Sequence, residues 1–531
     1  MNKIFFKRAL AVAFIATMPF FATAQERKAN WQNLDLKTDS VFGISTEKAY
    51  KELLKGKKST PVIVAVLDGG VDINHEDLKR VIWTNKKEIA GNGVDDDKNG
   101  YIDDVHGWNF IGGKDGSVEF ETLELTRLVR RDAIRFRDVT PTTNDMLETD
   151  KKEYDQFLKN REDFEKRLAT AKSDLQGISG FKTVLDQVVK KIGKENPTKE
   201  DFSNFKAQTG QEERLRATML EILDEVDFKK FYDNDISGGY KQAYEMVNYN
   251  LNLDYNPRTV VGDNPNDSKE RFYGNKDVKG PDASHGSHVA GIIAADRTNS
   301  LGIKGVADNV LIMGVRNTPN GDERDKDVAN AIRYAADNGA KVLNMSFGKS
   351  YSWDKSVVDE AVKYAISKDV LLVQAAGNDN ADIDVEPNYP SRKFLDGTIA
   401  GSWIVVGASD EKDDETLKAG FSNFGKTAVD VFAPGVKINS TVPDNNVYKE
   451  ENGTSMAAPV VSGLAALIRS YYPKLTAPQV KDIILKSVVK VNRDVKNMKD
   501  GAPVTVPFAN LSVTGGIVNT YNALKLAETY K

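Results

Sequence analysis

Apolar residues along this chain follow two rhythms. Some stand in short unbroken runs: the β-branched stretch Pro61 to Leu67, and the small-residue stretches Ile292 to Ala295 and Val460 to Ile468. A continuous β-branched run that ends in turn residues, here Asp68 to Asp72, predicts a central strand of a parallel sheet buried on both faces. From about Gly112 to Val278 the rhythm changes. The segment is highly charged, and Tyr154, Phe157, Leu158, Phe164, Leu168, Ala171 and Leu175 recur at three- and four-residue steps. Phe181, Val184, Leu185, Val188 and Ile192 form a second stripe of the same period, which predicts amphipathic helices. Gly177 and Gly180 fall between the stripes, so the reading is a coiled-coil-like helical hairpin broken at those glycines. Further helices are expected around 198–231 and 239–249, with Thr198 and Asp201 spaced as a capping box, and at Thr520 to Tyr530. The predicted class is α/β: a parallel sheet flanked by helices, with a mostly helical insertion.

The chemistry concentrates where these runs begin and end. Asn452 to Pro459 precedes the apolar run at Val460, which places Ser455 at a helix N-terminus after a turn that Gly453 permits. Free N–H groups and the helix dipole favour negative charge there. A serine needs a base, and the base needs an orienting acid. The chain has four histidines, and two of them, His285 and His288, lead into the run at Ile292. Asp68 stands at the carboxyl end of the predicted central strand, where functional groups of open α/β sheets gather. A zinc reading of His285 and His288 lacks both the Glu of H-E-x-x-H and any cysteine.

The order Asp68, His285, Ser455, in the settings VAVLDGGVD, HGSHVAG and GTSMAAP, resembles the subtilisin-like serine proteases, the subtilases. The resemblance covers roughly residues 40–110 and 275–531. It implies a subtilisin-like fold and an Asp68–His285–Ser455 triad that hydrolyses peptide bonds through an acyl-enzyme. Ala375 to Asn378 resembles the family's oxyanion loop, which makes Asn378 the oxyanion donor. Val342 to Gly348 resembles its substrate-binding strand, which gives Ser346, Phe347 and Gly348 to the substrate backbone. Val429 to Gly435 resembles the strand and turn ahead of the nucleophile. His288 is then structural, and His75 and His106 read as loop or surface residues. Three positions depart from the family pattern: Gly69 where a Ser or Thr is usual, Ser287 for Thr, and Ala458 for Ser. Each removes or moves a minor group and none removes a catalytic one.

On this reading residues 25–111 and 279–531 form the catalytic domain and 112–278 an insertion between Asp68 and His285. The insertion reads either as a stabilising ornament or as a gate or docking arm. Phe42 to Leu54 looks like a lead-in helix, and Gln25 to Thr60 is too short for the folding prodomain common in the family. The remaining alternatives are a non-catalytic binding protein on a subtilase frame and a processing protease of narrow specificity.

A basic start, an apolar core from Ala9 to Phe21 and the small residues Ala22 to Ala24 read as a signal peptide over residues 1–24. The expected location is therefore periplasmic or extracellular, with no membrane anchor after cleavage. The chain has no cysteine, which rules out disulfides and a lipid anchor on Cys. Its net charge of -5 gives no footprint for nucleic acid. Expected partners are protein or peptide substrates. Last, the loop Gly91 to Asp104 sets oxygen-bearing residues at alternating positions, as a calcium loop does. Asp95, Asp97, Asn99, the Tyr101 carbonyl and Asp103 are the expected ligands of a structural Ca2+.

Overall fold

The computed structural model describes residues 27–139, 147–499 and 501–530. The signal peptide expected over 1–24, and Gln25 after it, lie outside these residues. The chain divides into two compact units, one holding residues 120–256 and the other the described residues on either side.

The larger unit is built on a nine-stranded sheet. In chain order its strands are β1 (Val62–Asp68), β2 (Gly107–Asn109), β3 (Val310–Arg316), β4 (Val342–Met345), β5 (Leu371–Ala375), β6 (Trp403–Ser409), β7 (Val431–Pro434), β8 (Val489–Lys490) and β9 (Gly516–Ile517). Their spatial order is β8-β9-β7-β6-β5-β4-β1-β3-β2, with every pairing parallel except β8 with β9. The continuous apolar runs are explained by burial on both sides. Val64 and Val66 of β1 face a core shared with the helices Ser284–Ala294 and Thr454–Tyr471. Ala65 and Leu67 face the opposite core, with the helices Asp325–Asp337 and Lys355–Ser367. Central placement of β1 puts the ends of β3 and β4 beside Asp68: in register, Asp68 lies against Arg316 and Leu67 against Met345. The lead-in helix is present as Thr46–Ala49 continuing into a π-helical turn, Tyr50–Leu54.

The smaller unit is helical, as its period predicts, but the expected hairpin is corrected. A single helix of 45 residues, Glu148–Ile192, runs through Gly177 and Gly180 without a break. Each glycine costs a helix only about 1 kcal/mol relative to alanine. Ile178, between the glycines, and Leu185 and Val188, beyond them, are buried against Phe202, Leu215, Met219, Phe228 and Phe231. Burying one such side chain is worth about 1.5–3 kcal/mol, so packing outweighs the local preference. Phe157, Phe164, Ala171, Ile178 and Leu185 are all buried, at steps of one heptad. The helix ends at Gly193, whose φ of +77° places it in the left-handed conformation of a C-cap. The capping box at Thr198 and Asp201 is formed.

The division falls at Glu119 and Pro257. Residues 112–119 and 257–278, placed in the insertion by the sequence pattern, thus belong to the larger unit. Ile111, Val118 and Val261 form a small buried cluster there.

Candidate active site

Asp68 is the last residue of β1 and is buried, 3% exposed. His285 is the second residue of the Ser284–Ala294 helix, and its Nδ1 lies 2.9 Å from both carboxylate oxygens of Asp68. This geometry selects the imidazole tautomer with the proton on Nδ1, which leaves Nε2 as a base. Burial works against the imidazolium, but the Asp68 carboxylate, with Glu451 and Asp282 adding to it, raises the His285 pKa to about 9. Gly286 has to be glycine: a Cβ there would lie 2.1 Å from the Gly70 carbonyl and 3.1 Å from Asp68 Cβ.

The departure at Gly69 is accommodated by the backbone. The Gly69 N–H donates to Asp68 Oδ1 at 2.7 Å, and its carbonyl accepts from Arg316 Nε at 2.6 Å. Ser287, the second departure, accepts the Asp72 N–H at 2.8 Å on its hydroxyl. His288 is buried and points Nε2 at two carbonyls, Ile438 at 3.0 Å and Lys449 at 2.9 Å. Donation to either requires the proton on Nε2, and burial holds its pKa down. His288 therefore ties the histidine helix to the hairpin Ile438–Thr441/Tyr448–Glu451, which leads directly into the turn at Gly453. His75 corrects the surface reading: it is 1% exposed, with Nδ1 accepting the Asp77 N–H and Nε2 against the Val447 carbonyl. His106 sets Nδ1 against the Trp83 carbonyl at 2.9 Å.

Ser455 is the second residue of the Thr454–Tyr471 helix, so its N–H has no intrahelical acceptor. Its hydroxyl donates to the Ser346 carbonyl at 3.1 Å, while the Ser346 hydroxyl donates to the Ser455 carbonyl at 2.9 Å. Among the described residues no hydrogen bond joins Ser455 Oγ to His285. The aspartate–histidine pair is formed, and the serine hydroxyl is held on the Ser346 carbonyl just beyond β4. Apo catalytic hydrogen bonds commonly form only with substrate in place.

Asn378 follows β5 and is fixed at one end of its amide. Its Oδ1 accepts from the Thr454 N–H at 2.9 Å and from the Thr454 hydroxyl at 3.0 Å. The acceptor end being occupied, Nδ2 is the end left to donate elsewhere. Thr454, fully buried, also accepts the Gly377 N–H at 3.0 Å. Sequence reasoning missed Thr454, although its place between Gly453 and Ser455 was a usable signal. Ser346 is buried, Phe347 half-buried and Gly348 exposed. The main-chain groups of Phe347 and Gly348 make no hydrogen bond to the described residues, which leaves an open edge beyond β4.

Behind this loop lies a lysine that the sequence did not single out. Lys418 is 3% exposed and its Nζ lies 2.6 Å from Asn380 Oδ1, with no carboxylate paired to it among the described residues. Burial alone lowers its pKa from 10.5 to about 7. Between those values the unfolded chain holds more protons than the folded one, so this group makes stability rise with pH across that window. Lys418→Met is expected to stabilise the protein most at pH 6, where the buried ammonium is fully charged, and to flatten the rise. Urea unfolding at pH 6 and pH 10 checks this; an unchanged slope would contradict it.

The expected metal ligands are only partly brought together. Carboxylate oxygens of Glu88, Asp95 and Asp97 all lie within 4.8 Å of one another. Asp103 instead accepts from Gly91 N, Gly93 N and Lys276 Nζ, the last at 2.8 Å. Asn99 Oδ1 accepts the Tyr101 N–H. Glu88 was missed because it lies upstream of the alternating run that signals a calcium loop.

A model described as the subtilase family matches residues 59–503. A thermophilic serine proteinase of Bacillus sp. strain AK1 is 44% identical over 189 residues, covering 35% of this chain and 43% of that protein. Thermitase of Thermoactinomyces vulgaris is 42% identical over 187 residues, covering 35% and 61%. Subtilisin DY of Bacillus licheniformis is 38% identical over 200 residues, covering 37% and 68%. The match thus spans about half the length of the first of these relatives. The identity is high where it applies, and the family match extends over most of the chain and across all three of the Asp68, His285 and Ser455 motifs. The chain belongs to the subtilase family.

Proposed function

We propose that this protein is an exported serine endopeptidase. The observation that carries the reading is the Asp68–His285 pair at 2.9 Å, set with a serine at a helix N-terminus and an asparagine whose amide donor is left open. Ser455 Oγ attacks the scissile carbonyl as His285 Nε2 takes its proton. His285 then returns that proton to the leaving amine, and Asp68 holds the tautomer and stabilises the imidazolium. Asn378 Nδ2 and the Ser455 N–H donate to the oxyanion of the tetrahedral intermediate. An extended substrate adds as a strand to the edge at Ser346, Phe347 and Gly348, a mode that reads main chain and favours unfolded segments. No helix among the described residues is long and apolar enough to cross a membrane. The leader-like pattern of residues 1–24 supports export to a periplasm or beyond. Incubation with unfolded casein, followed by mass analysis of the products, tests the reading. Internal cleavage by wild type and none by Ser455→Ala is expected; intact casein in both would overturn it.

The acidic loop supports a structural Ca2+ role. Glu88, Asp95 and Asp97 offer three hard oxygen donors in a compact cluster, the chemistry this ion takes, and without a cation their charges repel. Calcium there would brace the loop and take no part in the reaction. A chelator is expected to lower the melting temperature by several degrees, with added Ca2+ restoring it. An unchanged melting temperature would reduce the loop to a solvated turn.

A further inference from the structure

The amide of Asn378 is useful only if the loop that carries it holds still, and that loop has left the sheet. β5 ends at Ala375 and the Ala376 N–H still reaches the Val406 carbonyl of β6, but residues 377–381 run past the site without a ladder partner among the described residues. Four main-chain groups of residues 376–381 are satisfied by one residue, Asn423, which is 4% exposed. Asn423 Nδ2 donates to the Ala376 carbonyl at 2.9 Å. Asn423 Oδ1 accepts from Asp379 N and from Ala381 N, both at 2.9 Å. Its own N–H donates to the Gly377 carbonyl at 2.9 Å. These contacts fall on both sides of Asn378 and spare Asn378 itself.

The fit is close enough to dictate a neighbour. Gly377 has φ +103°, and a Cβ on it would lie 2.3 Å from Asn423 Nδ2. Asn423 is in turn anchored: Ser422 Oγ accepts the Ala408 N–H of β6 and donates to the Asn423 carbonyl, both at 2.9 Å. Main-chain bonds from Asn380 N to Phe421 O and from Phe424 N to Ala381 O extend the grip. Thr454 fixes which way the Asn378 amide is turned, and Asn423 fixes where its backbone is.

We infer that Asn423 is a positioning residue for the oxyanion donor: it acts on the reaction through Asn378 and touches no substrate. This rests on the oxyanion role proposed above for Asn378. Oxyanion stabilisation is lost when a preorganised donor moves away from the developing charge, and such a donor contributes to turnover without contributing equally to ground-state binding. Loss of the clamp therefore lowers kcat, leaves KM nearly unchanged, and does no further harm once the donor itself is gone.

The test is a double-mutant cycle on the full chain, with kcat and KM measured on a fluorogenic peptide and active sites titrated with a fluorophosphonate. Asn423→Ala is expected to lower kcat by about tenfold or more, bounded by the roughly 10²–10³ of Asn378→Ala, with KM within about twofold. In the Asn378→Ala background the same change is expected to alter kcat by less than about twofold. Equal loss in both backgrounds, or a rise in KM alone, would show a general structural staple and overturn the inference. An Asn378→Ala variant with wild-type kcat would overturn the oxyanion reading and the clamp with it. Should Asn423→Ala fail to fold, Asn423→Asp keeps both acceptor bonds but turns an oxygen toward the Ala376 carbonyl. Wild-type kcat in that variant would likewise overturn the inference, and a lowered kcat that vanishes in the Asn378→Ala background would uphold it.

Discussion

Ser455→Ala and His285→Ala are each expected to reduce kcat by about 10⁶, with the double variant no slower than either. The reason for non-additivity is that the two side chains perform one event. Ser455 Oγ is a nucleophile only while Nε2 removes its proton, and Nε2 has nothing else to do in that step. What survives in either variant is the oxyanion pair of Asn378 Nδ2 and Ser455 N–H together with strand binding at Ser346 to Gly348, which needs neither side chain. KM is therefore expected to stay near wild type. Steady-state kinetics on the single and double variants check this, and additive losses would mean that the two residues act in separate steps.

Asp68→Asn is expected to lower kcat by about 10⁴ while leaving the fold in place. The amide keeps the size of the carboxylate but presents a donor to His285 Nδ1, which favours the tautomer with the proton on Nε2. The base then holds the proton it should accept. The substitution also removes the charge that raises the His285 pKa. Only neutral His285 can accept the serine proton, so activity falls as pH drops through its pKa. The acid limb of kcat/KM for wild type is thus expected to lie above the 6.5 of an ordinary imidazole, and in Asp68→Asn to move down. A pH–rate profile of both proteins decides this. An acid limb that does not move would mean that Asp68 does not face the working base.

The residues proposed to react stand where regular elements begin or end. Asp68 closes a strand and Ser455 and His285 open helices, so apolar runs pointed to these three, whereas Asn378 was marked only by the likeness of its loop to that of the subtilases. The largely helical character of residues 148–249 was equally legible, since charge and three-to-four periodicity persist there. Its continuity was not. Gly177 and Gly180 read locally as a break, and only the burial of Ile178, Leu185 and Val188 against helices far along the chain carries the helix through them. Residues acting through the backbone of a distant loop left the weakest trace. Asn423 grips residues more than 40 positions earlier, and nothing in its own neighbourhood of sequence shows that. Glu88 likewise joins Asp95 and Asp97 only once the loop folds back on itself. Lys418 drew no notice in the sequence, because burial is a property of the fold and not of the residue.

Labelling of the purified protein with a fluorophosphonate, followed by mass analysis of the labelled peptide, tests the central claim most directly. A single adduct on Ser455 is expected in wild type and none in His285→Ala, since the serine is reactive only with its base in place. A folded, calcium-loaded wild type that takes up no label, or label on Ser455 that is indifferent to the loss of His285, would contradict it.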